Sequence, residues 1–274
     1  MRTAEYNQME NDLSRMKEEI LIRVAHEFRT PLTVIDSSIK IIEALCSNEI
    51  SERMQNYLSR IKHNSLRLSR LVNNLVDAGR IASDDVSINL NTIDIVAATQ
   101  TIIDVVSTYL RHWEVHFDLL SEFQCKLVRT DPEKYEQIIL SVLSNAVKYS
   151  GDERIVHVRI YTKQEYVCVD IADEGIGIPR EKQDMIFELF SQIDGSLTRR
   201  AEGSGTGLYI AASLARSLSG KITLESNQGN GSTFTLYIPD ECHAPNTSGN
   251  NHPVCINDKH LSERVAIEFS DISL

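Results

Sequence analysis

His26 stands in the run Val24-Ala25-His26-Glu27-Phe28-Arg29-Thr30-Pro31-Leu32, where Val24, Phe28 and Leu32 recur at helical spacing. At about 100° per residue, His26 points roughly 200° from either neighbouring apolar residue, so its imidazole faces outward. Glu27 beside it can polarise the ring, which sets a nucleophilic nitrogen next to a proton acceptor. Pro31 has no N–H to give the Glu27 carbonyl, which loosens or bends the helix one turn beyond the histidine.

Other clusters lie far along the chain. An alternating stretch at 165–171 runs into Asp173-Glu174-Gly175-Ile176-Gly177-Ile178. A carboxylate at a strand end beside Gly-x-Gly suits reading an exocyclic amine, with glycines that let a planar base approach. A plain turn accounts for the same residues. Gly203-Ser204-Gly205-Thr206-Gly207-Leu208 places three alternate glycines ahead of a helix, where exposed amides hold anions. No GKS or GKT follows and no strand feeds directly into it, so it is neither a Walker loop nor a dinucleotide fingerprint. Asn145, Lys148 and Tyr149 fall on the late turns of a helix opened by Asp131-Pro132, an acidic cap followed by proline at the first helical position. A carboxamide beside a core needs a partner: a hydrated magnesium ion bridging phosphates, or an adjacent loop. Lys148, on the same face as Asn145, could then meet phosphate oxygens.

The elements that must position these residues separate by periodicity. Residues 9–78 are long and helical. One stripe runs Met9, Leu13, Met16, Ile20 and resumes at Val24, Phe28, Leu32, Ile35, Ile39, Ile42; a second runs Tyr57, Ile61, Asn64, Leu68, Leu71, Leu75, Ala78. A polar turn at 47–52 divides them. Helices of roughly 50 Å have no globular core of their own. The simplest solution is a hairpin that dimerises into a four-helix bundle; the other is a hairpin docked on its own downstream domain. The expected organisation is a hairpin at 1–80, a connector at 81–95, an α/β sandwich at 96–240 and a flexible tail or linker at 241–274. Within the sandwich, 95–110 and the Asp131 segment read as helices, and 154–160, 165–171, 221–226 and 232–238 as strands. Consecutive strands are joined by turns too short for crossover helices, which excludes a doubly wound parallel sheet.

Of 274 residues, 42% are apolar and 24% charged, enough for a core and too apolar for a disordered chain. Lys and Arg number 28 against 39 Asp and Glu, a net charge of −11, which disfavours non-specific binding to nucleic acid or an anionic membrane. The cysteines are an odd five with no CxxC pair, as expected of free thiols in a reducing compartment. No stretch of 18 apolar residues and no leader is visible. This part is therefore expected to be cytoplasmic and free of membrane contact, which leaves room for a membrane-anchored parent.

Taken together, these segments resemble the catalytic core of a sensor histidine kinase. His26 to Leu32 resembles the phospho-acceptor box, with Phe28 where leucine is commonest, and Asn145-Ala146-Val147-Lys148-Tyr149-Ser150 the asparagine box. Asp173 to Ile178 resembles the adenine-reading glycine box, and Ile186-Phe187-Glu188-Leu189-Phe190 the phenylalanine box. Gly203 to Leu208 resembles the lid-end glycine box, and Gly229-Asn230-Gly231-Ser232-Thr233-Phe234 the closing turn and strand. Two further positions depart: Ser141 stands where a second asparagine is usual, and Thr206 where leucine is usual.

The resemblance implies an all-α hairpin, forming a four-helix bundle on dimerisation, followed by an ATP-binding sandwich of the gyrase, chaperone and histidine-kinase type. It implies that Asp173 meets the adenine amine, with Gly175, Gly177 and Ile178 around the base. Asn145 would hold Mg²⁺, and Lys148 and Tyr149 would approach the phosphates of ATP. The amides around Gly205, Thr206 and Gly207 would cradle them, with Gly203 and Leu208 also at the nucleotide, Phe190 at the lid (191–204) and Thr233 on the closing strand. His26 would take the γ-phosphoryl group, Glu27 would orient the proton on the far ring nitrogen, and Thr30 would position water for dephosphorylating the partner. The implied partners are a second copy of the chain and a response-regulator receiver domain. A non-kinase ATPase of the same superfamily shares the asparagine and glycine boxes but lacks the hairpin; a catalytically impaired ATP-binding scaffold is the other alternative.

Overall fold

The computed structural model describes residues 2–46, 50–151, 154–191, 205–241, 254, 256 and 258–272, with the side chains of residues 2–22 and 258–259 outside that description. The chain divides into two compact units, Met1–Val86 and Ser87–Leu274. In the first, helix α1 (Arg2–Leu45) runs unbroken through Pro31, and α2 (Glu52–Ala82) returns beside it. The Ser51 hydroxyl starts α2 by accepting from the Met54 N–H at 3.3 Å, which satisfies one of the donors a helix start leaves open. Polar cross-links help clip the helices together: Arg29 Nη2 donates to Asn73 Oδ1 at 3.1 Å, and Lys62 Nζ lies 3.2 Å from Glu43 Oε2.

The apolar positions of α1 split into two rows. Ala25, Leu32 and Ile39, seven residues apart, are buried, whereas Phe28, Ile35 and Ile42, also seven apart, are exposed. Ala25, not Val24, thus makes the first buried layer. On α2 the residues Tyr57, Ile61, Leu68 and Leu71 are exposed as well. Packing within the hairpin consumes only half of the heptad pattern. The stripe Met9–Ile20 falls outside the described side chains.

The second unit is built on a five-stranded mixed sheet in the order β2-β4-β5-β7-β6. Its strands are β2 (His116–Ser121), β4 (Ile155–Lys163), β5 (Tyr166–Asp173), β6 (Lys221–Ser226) and β7 (Ser232–Pro239). Only β2 and β4 run parallel, with helix α4 (Pro132–Tyr149) between them in sequence; the other pairs are antiparallel. A separate ribbon pairs β1 (Asn91–Asp94) with β3 (Leu127–Thr130). Strand parity sets the core: Val167, Val169 and Ile171 on β5 and Phe234, Leu236 and Ile238 on β7 are buried. Helices α3 (Ile95–Tyr109), α4 and α5 (Gly207–Ser217) pack against the sheet. Asp94 and Asp131 cap α3 and α4; Asp131 also accepts from the Asn89 N–H at 2.8 Å, which fixes the entry of the chain into this unit.

The expectation of a flexible tail at 241–274 requires correction. Helix α6 (Asp258–Glu268) packs against α3 and α4. Leu261, Val265, Phe269 and Ile272 have 1% exposure or less, and the Tyr109 and Phe269 rings meet edge-on at 6.4 Å. The stripe is one residue wide in a polar segment, and the weak amphipathicity hides it. The Val254 N–H donates to the Thr92 carbonyl at 3.0 Å, which anchors the approach to α6 on the β1 ribbon.

Candidate functional site

On the hairpin, His26 and Glu27 beside it are exposed, and so is Phe28, which the expected stripe placed on the buried seam. Among the described residues no hydrogen bond ties down the His26 ring. One turn on, the Thr30 hydroxyl donates to the His26 backbone carbonyl at 3.2 Å. The imidazole therefore rides on a helix whose backbone is pinned locally while the ring itself is open to a reactant.

In the second unit, α4 carries Asn145, Lys148 and Tyr149. Asn145 is half-buried, and its Nδ2 donates to the Ser141 carbonyl at 3.0 Å. That bond commits the amide nitrogen and leaves the carboxamide oxygen, the atom a hard cation takes. The Ser141 hydroxyl, one turn earlier, is buried without a hydrogen-bond partner. Among the described residues no group of three or more His, Cys, Asp or Glu could hold a metal. An oxygen ligand and an unsatisfied hydroxyl fit a largely hydrated Mg²⁺ shared with phosphate oxygens, not a metal held by protein alone. Lys148 differs from expectation: its side chain is 5% exposed and its ammonium is paired with Asp271 Oδ2 at 3.1 Å.

Asp173 ends β5 with its carboxylate 7% exposed, accepting the Gly175 N–H at 2.9 Å. Burial pushes its carboxyl up to about 6, although the backbone N–H groups of Gly175 and Ser232 favour the charged form. The neighbouring glycines have a different reason from the one expected. A Cβ on Gly175 would meet the Tyr149 carbonyl oxygen at 1.7 Å, and one on Gly177 (φ +62) the Asn227 carbonyl at 2.0 Å. They let the loop close on the protein's own backbone, joining the end of α4 to the β6–β7 turn. The Gly231 N–H bonds the Gly175 carbonyl at 2.9 Å, and the Ile178 N–H bonds Ser226 Oγ at 2.8 Å.

Thr233 is not brought to Asp173. The register pairs Asp173 with Ser232 and Ala172 with Thr233, so Thr233 points to the opposite face of the sheet. Ser232 is the residue beside the carboxylate, its hydroxyl 3.0 Å from Ser226 Oγ. Alternation from the buried Phe234, Leu236 and Ile238 backwards reaches Ser232, a signal present in the sequence.

Gly205 (φ +67) fits against the Ser191 carbonyl, Thr206 is buried, and Gly207 and Leu208 open α5. The glycines and the helix start thus fall together as an anion site requires. Phe190 is exposed with φ +63, and Phe187 packs edge-on to Phe234 at 6.4 Å. Gly203 and the lid segment 192–204 lie outside the described residues. Helix α4, which carries Asn145, packs against both α5, which Gly207 opens, and β5, which Asp173 ends.

An outward histidine on a helical hairpin, joined to a sandwich with this carboxylate and glycine frame, defines a phospho-acceptor unit and an ATP-binding fold. Comparison with known proteins agrees. The family model for the His Kinase A (phospho-acceptor) domain matches residues 16–84, and that for the histidine kinase-, DNA gyrase B- and HSP90-like ATPase matches residues 130–241. The chain belongs to the sensor histidine kinases of two-component signal transduction, as their catalytic core.

Among curated proteins it is 31% identical to the circadian input-output histidine kinase CikA of Synechococcus elongatus, over 82% of this chain and 30% of that protein. It is 30% identical to the sensor histidine kinase WalK of Bacillus subtilis, over 83% of this chain and 37% of that one. For the WalK sensor kinase of Staphylococcus aureus the figures are 32%, 85% and 56%. The chain thus spans about a third to just over half the length of these relatives. Full-length ShkA, solved with AMPPNP, shares the fold with a TM-score of 0.67 at 23% identity, over 81% of this chain and 45% of that one. Histidine kinase AdeS of Acinetobacter baumannii superposes with a TM-score of 0.55 at 22% identity, over 79% and 98% of the two chains. Among the described residues no helix is long and apolar enough to cross a membrane.

Proposed function

We propose that the chain phosphorylates itself on His26 from ATP and passes the phosphoryl group to an aspartate of a receiver domain. The reading rests above all on one observation: an exposed, untethered imidazole beside Glu27 occurs in the same chain as the buried Asp173 carboxylate and its glycine loop.

Asp173 accepts the exocyclic amine of adenine, and Ser232 supports that carboxylate through its backbone N–H. The amides of Gly205 to Gly207 at the start of α5 hold the phosphates, and Asn145 presents its oxygen to Mg²⁺, which neutralises charge on the phosphate oxygens when bound. The His26 nitrogen attacks the γ-phosphorus. A P–N bond forms, the bond to the β,γ-bridging oxygen breaks, and ADP leaves. The ring proton on the far nitrogen is held toward Glu27, so the attacking nitrogen keeps its lone pair. The receiver's carboxylate then attacks the same phosphorus, the P–N bond breaks, and His26 returns to its starting state. Thr30 serves the reverse duty of orienting water against the phosphorylated receiver.

The exposed rows Phe28, Ile35, Ile42 and Tyr57, Ile61, Leu68, Leu71 support a homodimer through the hairpin, a bundle of four helices. Incubation with γ-labelled ATP and Mg²⁺ tests the reading, on the wild type and on His26→Gln. Acid-labile, alkali-stable label lost in the variant is expected. A folded, ATP-binding wild type that takes up no label would instead mark a catalytically impaired scaffold.

A further inference from the structure

The ATPase family match ends at residue 241, yet α6 beyond it lies along one side of α4. Arg264 Nη1 is 3.4 Å from Glu136 Oε1 and its Nη2 is 3.7 Å from Glu133 Oε2. The Ser144 hydroxyl donates to the Glu268 carbonyl at 3.2 Å, and Lys148 pairs with Asp271 at 3.1 Å. Glu133, Glu136, Ser144 and Lys148 form one continuous helical face. Lys148 is also one turn from Asn145, so it stands where the α6 face meets the candidate phosphate end.

We propose that α6 and the residues after it, 258–272, act as a latch: the Asp271 carboxylate holds the Lys148 ammonium, and the phosphates of ATP compete with it for that one cation. The proposal rests on the reading of Lys148 as a phosphate ligand. With both side chains under a tenth exposed, removing the carboxylate takes the counter-charge at 3.1 Å away from a buried ammonium that also faces the Tyr149 ring at 5.5 Å. A phosphate oxygen can take the place of that counter-charge. Nucleotide binding then draws Lys148 from Asp271 and loosens the C-terminal end of the latch, and whatever displaces the latch raises nucleotide affinity.

The test measures affinity of the full chain for Mg²⁺-ATP and for adenosine in the wild type, Asp271→Asn, Lys148→Met and the double variant. Asp271→Asn is expected to bind Mg²⁺-ATP about 3- to 10-fold more tightly, as freeing a sequestered competent state does, with adenosine unchanged. Lys148→Met is expected to weaken Mg²⁺-ATP binding and to abolish the gain from Asp271→Asn. If Lys148→Met leaves Mg²⁺-ATP affinity unchanged, Lys148 is no phosphate ligand and both readings fall. If Lys148→Met weakens binding but Asp271→Asn does not strengthen it, the phosphate role stands and the latch is overturned. Arg264→Gln, in the middle of α6, offers a gentler release and is expected to shift affinity the same way by a smaller factor.

Discussion

The Thr30 hydroxyl donates to the His26 backbone carbonyl at 3.2 Å, so the two residues are joined through the main chain while the imidazole stays open. An exposed local bond of this kind adds little to stability. Thr30→Ala is expected to change folding free energy by no more than about 0.5 kcal/mol. It should leave autophosphorylation of His26 intact and slow dephosphorylation of the receiver by about 100-fold, the scale of a lost proton-positioning group. Both rates would be read from labelled protein; if they fell together, Thr30 would have no separate water-positioning role.

Asp173 makes stability depend on pH. Its folded carboxyl is pushed up to about 6 from 3.8, so ionisation opposes folding. Stability from the protonated form is full below about pH 3.8 and lost as pH rises through 6. Asp173→Asn keeps an acceptor for the Gly175 N–H and is expected to stabilise the second unit by about 2–3 kcal/mol at pH 8. Thermal melts across pH should show the gain shrinking below 6 and vanishing below 3.8; a gain independent of pH would contradict the assignment. The same variant should bind ATP less tightly at pH 8, because an ionised acceptor is lost.

Gly175 and Gly229 make a matched pair of tests. A Cβ at Gly175 collides with the Tyr149 carbonyl, whereas at Gly229 (φ +84) nothing lies within 4 Å. Gly229→Ala should cost about 1 kcal/mol for backbone strain alone. Gly175→Ala should cost about 3 kcal/mol or more, since backbone must move. Calorimetric melts that ranked the two equally would refute the close-approach explanation.

Leu68 and Leu71 are 51% and 42% exposed on α2 and contribute little to the hairpin's own interior. Leu68→Glu with Leu71→Glu should give a folded monomer, because like charges then face each other across the proposed seam. Sedimentation equilibrium settles it; a dimer that survived the double change would move the interface elsewhere.

The sequence revealed the long helices and the outward histidine because a heptad pattern and a helical wheel are local properties. Asp131-Pro132 marked the start of α4 for the same reason. Which half of the heptad row faces α2 was hidden, since Leu32 and Ile35 are equally apolar and only packing separates them. Strands β1 and β3 escaped notice because each is four residues long, too short for alternation to stand out, and β2 because four of its six residues are exposed. Gly175 was recognisable as necessary, but not that it yields to Tyr149 instead of to a ligand. The Lys148–Asp271 pair spans 123 positions and could not be read from either segment alone.

Helix α1 is 44 residues long, a rod of about 65 Å. Rods of this kind carry tilt and twist along their length and bend where a rung is missing. Pro31 removes the rung at Glu27, next to His26, so a soft joint of the rod sits beside the proposed nucleophile. A small bend there re-aims the imidazole without disturbing the layers at Leu32 and Ile39. The proposed phosphoryl transfer would then respond to mechanical leverage at one missing hydrogen bond.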